Sequence, residues 1–221
     1  MDNFYKVMND SEIHNGLHYH DGLNVDKNQF QQYGGNGLYY AKEDVLAFVR
    51  NDSRYIRHVI VPEDAVTSKS SIRPVGWSAN KLILEEQYPI NKTTVDMLVK
   101  QGANLHVCDD NIFLYAATHG DYELTRYCLD NGADPNTENG RALRVAVDKQ
   151  YGAIANLIMN RGGMIQSDLV EITVINNNLE ILRNMLARIQ DKKAIVAKGL
   201  PIAELLQRKE CLMYLNSISD V

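Results

Sequence analysis

From Leu98 to Leu215 short apolar stripes recur at helical spacing, separated by polar turns that carry glycine. Leu124, Tyr127 and Cys128 fall at i, i+3 and i+4, the pattern of one buried helix face. The turns repeat as well. Gln101-Gly102-Ala103-Asn104 returns as Asn131-Gly132-Ala133-Asp134 and then as Arg161-Gly162-Gly163-Met164, 30 residues apart each time. Between the glycines, Ile112–Ala117 aligns with Ala142–Val147, and Glu123–Leu129 aligns with Ala153–Met159. Ile172-Thr173-Val174 keeps the spacing, and Glu180–Leu186 follows after a three-residue contraction. A last copy places Ala203 in the small-residue slot and Glu210–Leu215 in the second element. Upstream, Val95–Val99 supplies a second element alone.

Each unit predicts two short helices. Ala116 and Ala146 stand where two helices must approach closely. Gly102, Gly132 and Gly162 sit just past the last apolar position, where a helix ends in a left-handed residue that glycine adopts without strain. One such pair cannot bury its own stripe, so neighbouring pairs must stack.

The first 89 residues lack this period. Phe4–Met8 and Tyr55–Val61 read as strands, and Lys81–Leu84 as another. Gly34–Gly37 predict a turn that enters the aromatic strand Leu38–Ala41. Lys42–Asn51 reads as a helix with Val45, Leu46 and Val49 on one face and Glu43 and Asp44 at its N-terminus. The expected architecture is a small α+β module over 1–89 followed by an all-α repeat region over 90–221, with about four units, the last ones degenerate.

The paired alanine and Asn-Gly-Ala-Asp signatures resemble ankyrin repeats of the 30-residue kind, over roughly residues 90–221. The resemblance implies an ankyrin-repeat solenoid that binds a protein partner. The repeats depart from the commonest consensus, since no unit opens on Thr-Pro-Leu-His, so the helix starts need other caps. The whole arrangement also resembles the ankyrin-repeat proteins of giant DNA viruses of the mimivirus group. The features shared with those proteins are Ile13–Asn24, the Gly35–Tyr40 turn and strand, Tyr55–Asp64 ending in Pro-Glu-Asp, and Ala79–Leu84. This likeness implies a viral protein acting in the host cytoplasm, as an adaptor or decoy toward a host protein.

Composition narrows the field. The chain has 221 residues, 45% hydrophobic and 23% charged, with a formal net charge of -5. That is globular composition without the basic footprint of a nucleic-acid binder. The densest basic run, Arg183, Arg188, Lys192, Lys193 and Lys198, reads as a solvated helix end. The first ten residues have no apolar core, which predicts no secretory leader, and no window is apolar enough to span a membrane. Cys108, Cys128 and Cys211 are odd in number and far apart, as expected of reduced cytosolic thiols.

No phosphate loop, nucleophile elbow or HExxH helix is present. His14, His18 and His20 do not share a helical face and read as surface histidines, with no metal expected. A remote resemblance to ADP-ribosyltransferases implies a second reading, in which NAD is the cofactor. There His18 (or His14) would meet the ribose, Tyr39 would stack on nicotinamide, and Glu85 (or Glu86) would polarise a ribose hydroxyl. The binding reading takes precedence over this enzymatic one. Its expected contact residues are the exposed-looking His106, Asp109, Asp110, His119, Asn136, Glu138, Asn139 and Lys149. Tyr115 and Arg144 join them as the residue types that dominate interface energy.

Overall fold

The computed structural model describes residues 3–14, 16–27, 30 and 37–219, so the expected turn at Gly34–Asn36 lies outside the described residues. The chain divides into two compact units, Met1–Tyr115 and Ala116–Val221.

The first unit is built on an antiparallel sheet. Its strands are β1 (Phe4–Asn9), β4 (Gly22–Val25), β5 (Leu38–Ala41), β6 (Ser53–Ile60), β7 (Thr67–Lys69), β8 (Gly76–Ala79) and β9 (Lys81–Pro89). They run in the order β4-β9-β6-β1-β5-β8-β7. A separate ribbon pairs β2 (Ile13–His14) with β3 (Leu17–His18). Phe4, Lys6 and Met8 stand opposite Val59, Arg57 and Tyr55, and strand alternation puts them on one face. That face carries an apolar cluster of Met8, Tyr19, Leu38, Tyr40, Val59, Ala79, Leu82 and Leu84. On the other face Tyr5 and Ile56 are buried too, and the Tyr5 hydroxyl bonds Gln101 Oε1. Both faces of the central strands are therefore covered.

The helix expected over 42–51 is a single 3-10 turn, Val45–Phe48. Its backbone groups are taken by side chains. Asn111 Nδ2 donates to the carbonyls of Leu46 at 2.8 Å and Val49 at 3.0 Å, and Arg50 N–H donates to Ser53 Oγ at 2.8 Å. An α-helix would have joined Arg50 N–H to the Leu46 carbonyl. The expected strands correspond to β1, β5, β6 and β9, the last running further than Leu84.

Helices follow: α1 (Lys92–Lys100), α2 (Val107–His119), α3 (Tyr122–Asp130), α4 (Thr137–Asp148), α5 (Gly152–Asn160), α6 (Ser167–Ile175), α7 (Leu179–Leu186), α8 (Lys193–Leu205) and α9 (Lys209–Ser219). Within the second unit the packing repeats. The helices pair as α4 with α5, α6 with α7 and α8 with α9. Each also packs on the equivalent helix two along, α3 on α5, α4 on α6, α5 on α7, α6 on α8 and α7 on α9. Ala146, Leu143, Ile158, Val170, Ile181 and Leu182 are sealed between them. Gly132 and Gly162 adopt φ of 96° and 91°, as their place after α3 and α5 demands.

The first helices α4 and α6, which open units where the usual tetrapeptide is missing, carry no side-chain cap at Asn136 or Gln166, whereas the second helices α1, α3 and α7 are capped. Asn91 accepts a hydrogen bond from Thr94 N–H at 3.0 Å. Asp121, thirty residues on, does the same for Leu124 N–H at 2.9 Å, and Asn178 for Ile181 N–H at 3.0 Å. At the intervening position Tyr151 gives no side-chain cap. Its ring lies instead against Gly120, where an added Cβ would approach to 3.0 Å. Asp121→Ala should cost about 1 kcal/mol of stability through the lost cap, read as a lowered urea midpoint. An unchanged midpoint would show that the carboxylate contributes nothing there.

Candidate functional site

Among the places that bring polar groups together, two hold candidate residues read from the sequence. The first lies in the sheet unit, between β1 and β5. Register between these strands is confined to Tyr5 opposite Ala41. The Tyr39 carbonyl accepts from Lys6 Nζ at 2.9 Å. A cleft of about 190 Å³ opens there. Its walls include Ile13, Tyr39 and Phe48, and its polar groups include Lys6, His14, Arg50 and Asp52. Lys6 is only 2% exposed. Its ammonium stands 3.3 Å from His14 Nδ1 and 4.3 Å from the centre of the Tyr19 ring. Burial lowers the Lys6 pKa to about 7. His14 is also lowered, by burial and then by Lys6, with Asp52 acting in the opposite direction. Tyr19 is raised, chiefly by burial.

The residues of the NAD reading do not converge. His18 pairs with Ile13 on the ribbon and is exposed. Tyr39 lines the cleft from β5. Glu85 lies on β9, with β6 and β1 between it and β5, about 14 Å across three strand spacings. Its carboxylate meets His58 Nδ1 at 2.9 Å. His14, rather than His18, is the histidine near Tyr39, with ring centres 6.2 Å apart. His14 and His18 stand on opposite faces of the ribbon by strand alternation. Among the described residues no group of three His, Cys, Asp or Glu side chains could hold a metal ion.

The second place is the turn leading into the first helices α2 and α4. Cys108, Asp109 and Asp110 all adopt left-handed backbone, and so do Glu138, Asn139 and Gly140 thirty residues later. The equivalence shows that the repeat extends to its irregular tips. Asp109, Glu138 and Asn139 are exposed, as are His106 and Lys149. His119, Asn136 and Arg144 are half-buried.

Two residues expected at the surface are in fact buried. Tyr115 donates its hydroxyl to the Ser53 carbonyl at 2.9 Å, so it anchors α2 within the sheet unit. Asp110 is buried beside His106, at 2.6 Å from its Nδ1. Exposure could not be told from sequence here, because a polar end on an otherwise apolar segment fits either a surface contact or a satisfied interior bond.

Other candidates are occupied in holding consecutive repeats together. Asn136 accepts from Met164 N–H at 2.7 Å and donates to the Gly162 carbonyl at 3.1 Å. Arg144 reaches Gln166 Oε1 and Asp168 Oδ2, each at 2.7 Å. Gln166 Nε2 in turn donates to the Asn139 carbonyl at 2.9 Å. Lys149 Nζ donates to the Thr118 carbonyl at 3.0 Å. Glu138 makes one exposed ion pair, with Arg141. No described helix is long and apolar enough to cross a membrane.

Comparison with known proteins agrees with the repeat. Residues 108–137 match the family model for the ankyrin repeat. Over 149 residues the chain is 28% identical to "Putative ankyrin repeat protein R838" of Acanthamoeba polyphaga mimivirus, covering 60% of this chain and 54% of that protein. The similarly named R868 of the same virus is 26% identical over 136 residues, covering 58% and 67%. L279 is 27% identical over 172 residues, covering 72% and 36%. The chain thus spans about half the length of the first of these relatives. One thirty-residue stretch, residues 108–137, thus matches the ankyrin repeat, and the chain is similar to mimivirus proteins named for that repeat.

Proposed function

We propose that this chain binds another protein through the turn tips and first helices of its ankyrin repeats, stacked as a solenoid, and that the partner belongs to the host of a giant virus. The observation that carries this reading is the pair of equivalent left-handed tips at 108–110 and 138–140. They recur with the repeat and hold Asp109, Glu138 and Asn139 out to solvent. Ankyrin repeats imply protein–protein interaction, and the mimivirus relatives make an amoebal host factor the natural partner class. An adaptor or decoy role in the host cytoplasm follows from that reading. Residues tied into the structure, such as Asn136, Arg144 and Tyr115, are scaffold here.

The test compares the full chain with Glu138→Lys and, separately, Asp109→Lys, as baits for Acanthamoeba lysate. The expected result is one or more proteins retained by the unchanged chain and reduced at least threefold by one or both reversals, with thermal melting unaltered. Identical capture by all three baits would place the interface away from these tips.

A further inference from the structure

Lys6 poses an electrostatic problem that the described residues leave unsolved. Its ammonium has as neighbours a carbonyl, an imidazole and a phenol ring, none of them an anion. Its cross-strand partner is Arg57, a second buried cation at 3% exposure. Arg57 has the acids: Glu12 at 2.7 Å and Asp21, with the Glu85 carbonyl besides. Buried cations are ordinarily paired with an anion, because desolvation is otherwise uncompensated.

A second cation faces the same space. Arg50 is exposed and lines the cleft, and its guanidinium has no hydrogen bond or ion pair among the described residues. The one acid among the described residues that line the cleft, Asp52, accepts from Asn9 Nδ2 at 3.1 Å. The cleft therefore carries two cations and an imidazole against a single carboxylate.

Size and walls limit what can enter. A volume of about 190 Å³ is slightly larger than the roughly 150 Å³ cavity that takes up benzene. It is smaller than the roughly 300–1,000 Å³ of sites for drug-sized ligands. One ring with one substituent fits, whereas a dinucleotide would have to lie mostly outside. Tyr39, Phe48 and Ile13 supply the apolar and aromatic contact that a ring requires.

We propose that the cleft between β1 and β5 is a binding site for a small single-ring carboxylate, its ring against Tyr39 and Phe48 and its carboxylate between Lys6 and Arg50. The ligand supplies the anion that Lys6 lacks. The groups facing Lys6 are His14 from β2, Tyr19 beyond β3, Tyr39 from β5 and Arg57 from β6, with Asp52 acting on His14. A bound carboxylate favours the charged ammonium, so binding near neutral pH takes up a proton and strengthens as the pH falls from 8 toward 7.

Benzoate is the probe, titrated calorimetrically into the full chain at pH 7 and pH 8 in two buffers of different ionisation enthalpy, with neutral benzamide as the control. The expected result is saturable one-to-one binding of benzoate, at least tenfold weaker binding of benzamide, and net proton uptake at pH 8. Arg50→Ala, at an exposed position, and Lys6→Met should each weaken benzoate at least tenfold while keeping the circular dichroism of the unchanged chain. No saturation at 10 mM benzoate would overturn the proposal. So would benzamide binding as tightly as benzoate, or folded variants that bind benzoate as tightly as the unchanged chain.

Discussion

Phe113→Ala should lower stability by about 3–5 kcal/mol, and Leu143→Ala by about 2–5 kcal/mol, each through a cavity the surroundings fill only in part. Phe113 lies on α2 and Leu143 thirty residues on, on α4, and both are fully buried. They hold the same slot in consecutive repeats. The informative companion is Phe113→Leu, which installs the residue that the next repeat uses. If the slots are equivalent, the smaller side chain should cost less than half of the alanine change, since most of the volume is retained. Urea unfolding followed by circular dichroism reads all three. Equal losses for Phe113→Leu and Phe113→Ala would mean that the slot is shaped for an aromatic ring and that the repeats differ in their interiors. Losses of this size are a large fraction of a typical domain's 5–15 kcal/mol, so the alanine variants should show shifted or incomplete folding baselines.

The helical half was legible because its signals are local. A stripe at i, i+3 and i+4, a glycine after the last apolar residue and an Asn or Asp before the next helix are all written within a few positions. Leu124, Cys128, Gly132 and Asp121 show this directly. The sheet unit was less legible. Strands β1, β6 and β9 announce themselves by β-branched and aromatic residues, but Thr67–Lys69 and Gly76–Ala79 carry too few to stand out. The segment after Asp44 has helical spacing, yet Asn111 and Ser53 take the backbone groups that would have extended its turn. No local pattern could have revealed that competition, because Asn111 is more than sixty residues away.

The cleft was hidden for the same reason. In Phe4–Asn9 the alternation offers Tyr5 and Val7 as an apolar face and leaves Lys6 looking solvent-facing. The structure covers both faces, so the lysine is enclosed by residues from β2, β5 and β6 and from the segment after β3. His14 and Tyr39 were both noticed in the sequence, but for other roles. What joins them is the adjacency of β1 and β5 in the sheet, a product of topology. In the repeats the reverse happened: Asn136 and Arg144 look like free polar contacts in the sequence, and the structure uses them between repeats.

Lys6→Met should make the protein more stable at pH 7, by about 3–5 kcal/mol less the cost of the lost bond to the Tyr39 carbonyl. The lysine's pKa falls from its ordinary 10.5 to about 7 on burial, and each pH unit of difference corresponds to about 1.4 kcal/mol. Lys6 is almost wholly enclosed, so little solvent screening reduces the effect. The sign follows from proton counting. Between pH 7 and 10.5 the unfolded chain holds a proton on Lys6 that the folded chain has released, so stability rises with pH across that window. Below pH 7 both states are protonated and this contribution is constant at its most unfavourable. His14, also lowered, acts only below its ordinary 6.5, where falling pH removes stability. Tyr40, raised to about 12, acts from pH 10 upward, where rising pH removes stability. Urea titrations of wild type and Lys6→Met from pH 7 to 9.5 therefore isolate the lysine. Their stability difference should shrink steadily as the pH rises. A difference independent of pH would mean that Lys6 keeps its ordinary pKa and is solvated in the folded protein. A lysine retained at such a cost is what a binding site requires and a packed core does not. Benzoate should narrow the same gap at pH 7 by stabilising only the wild type.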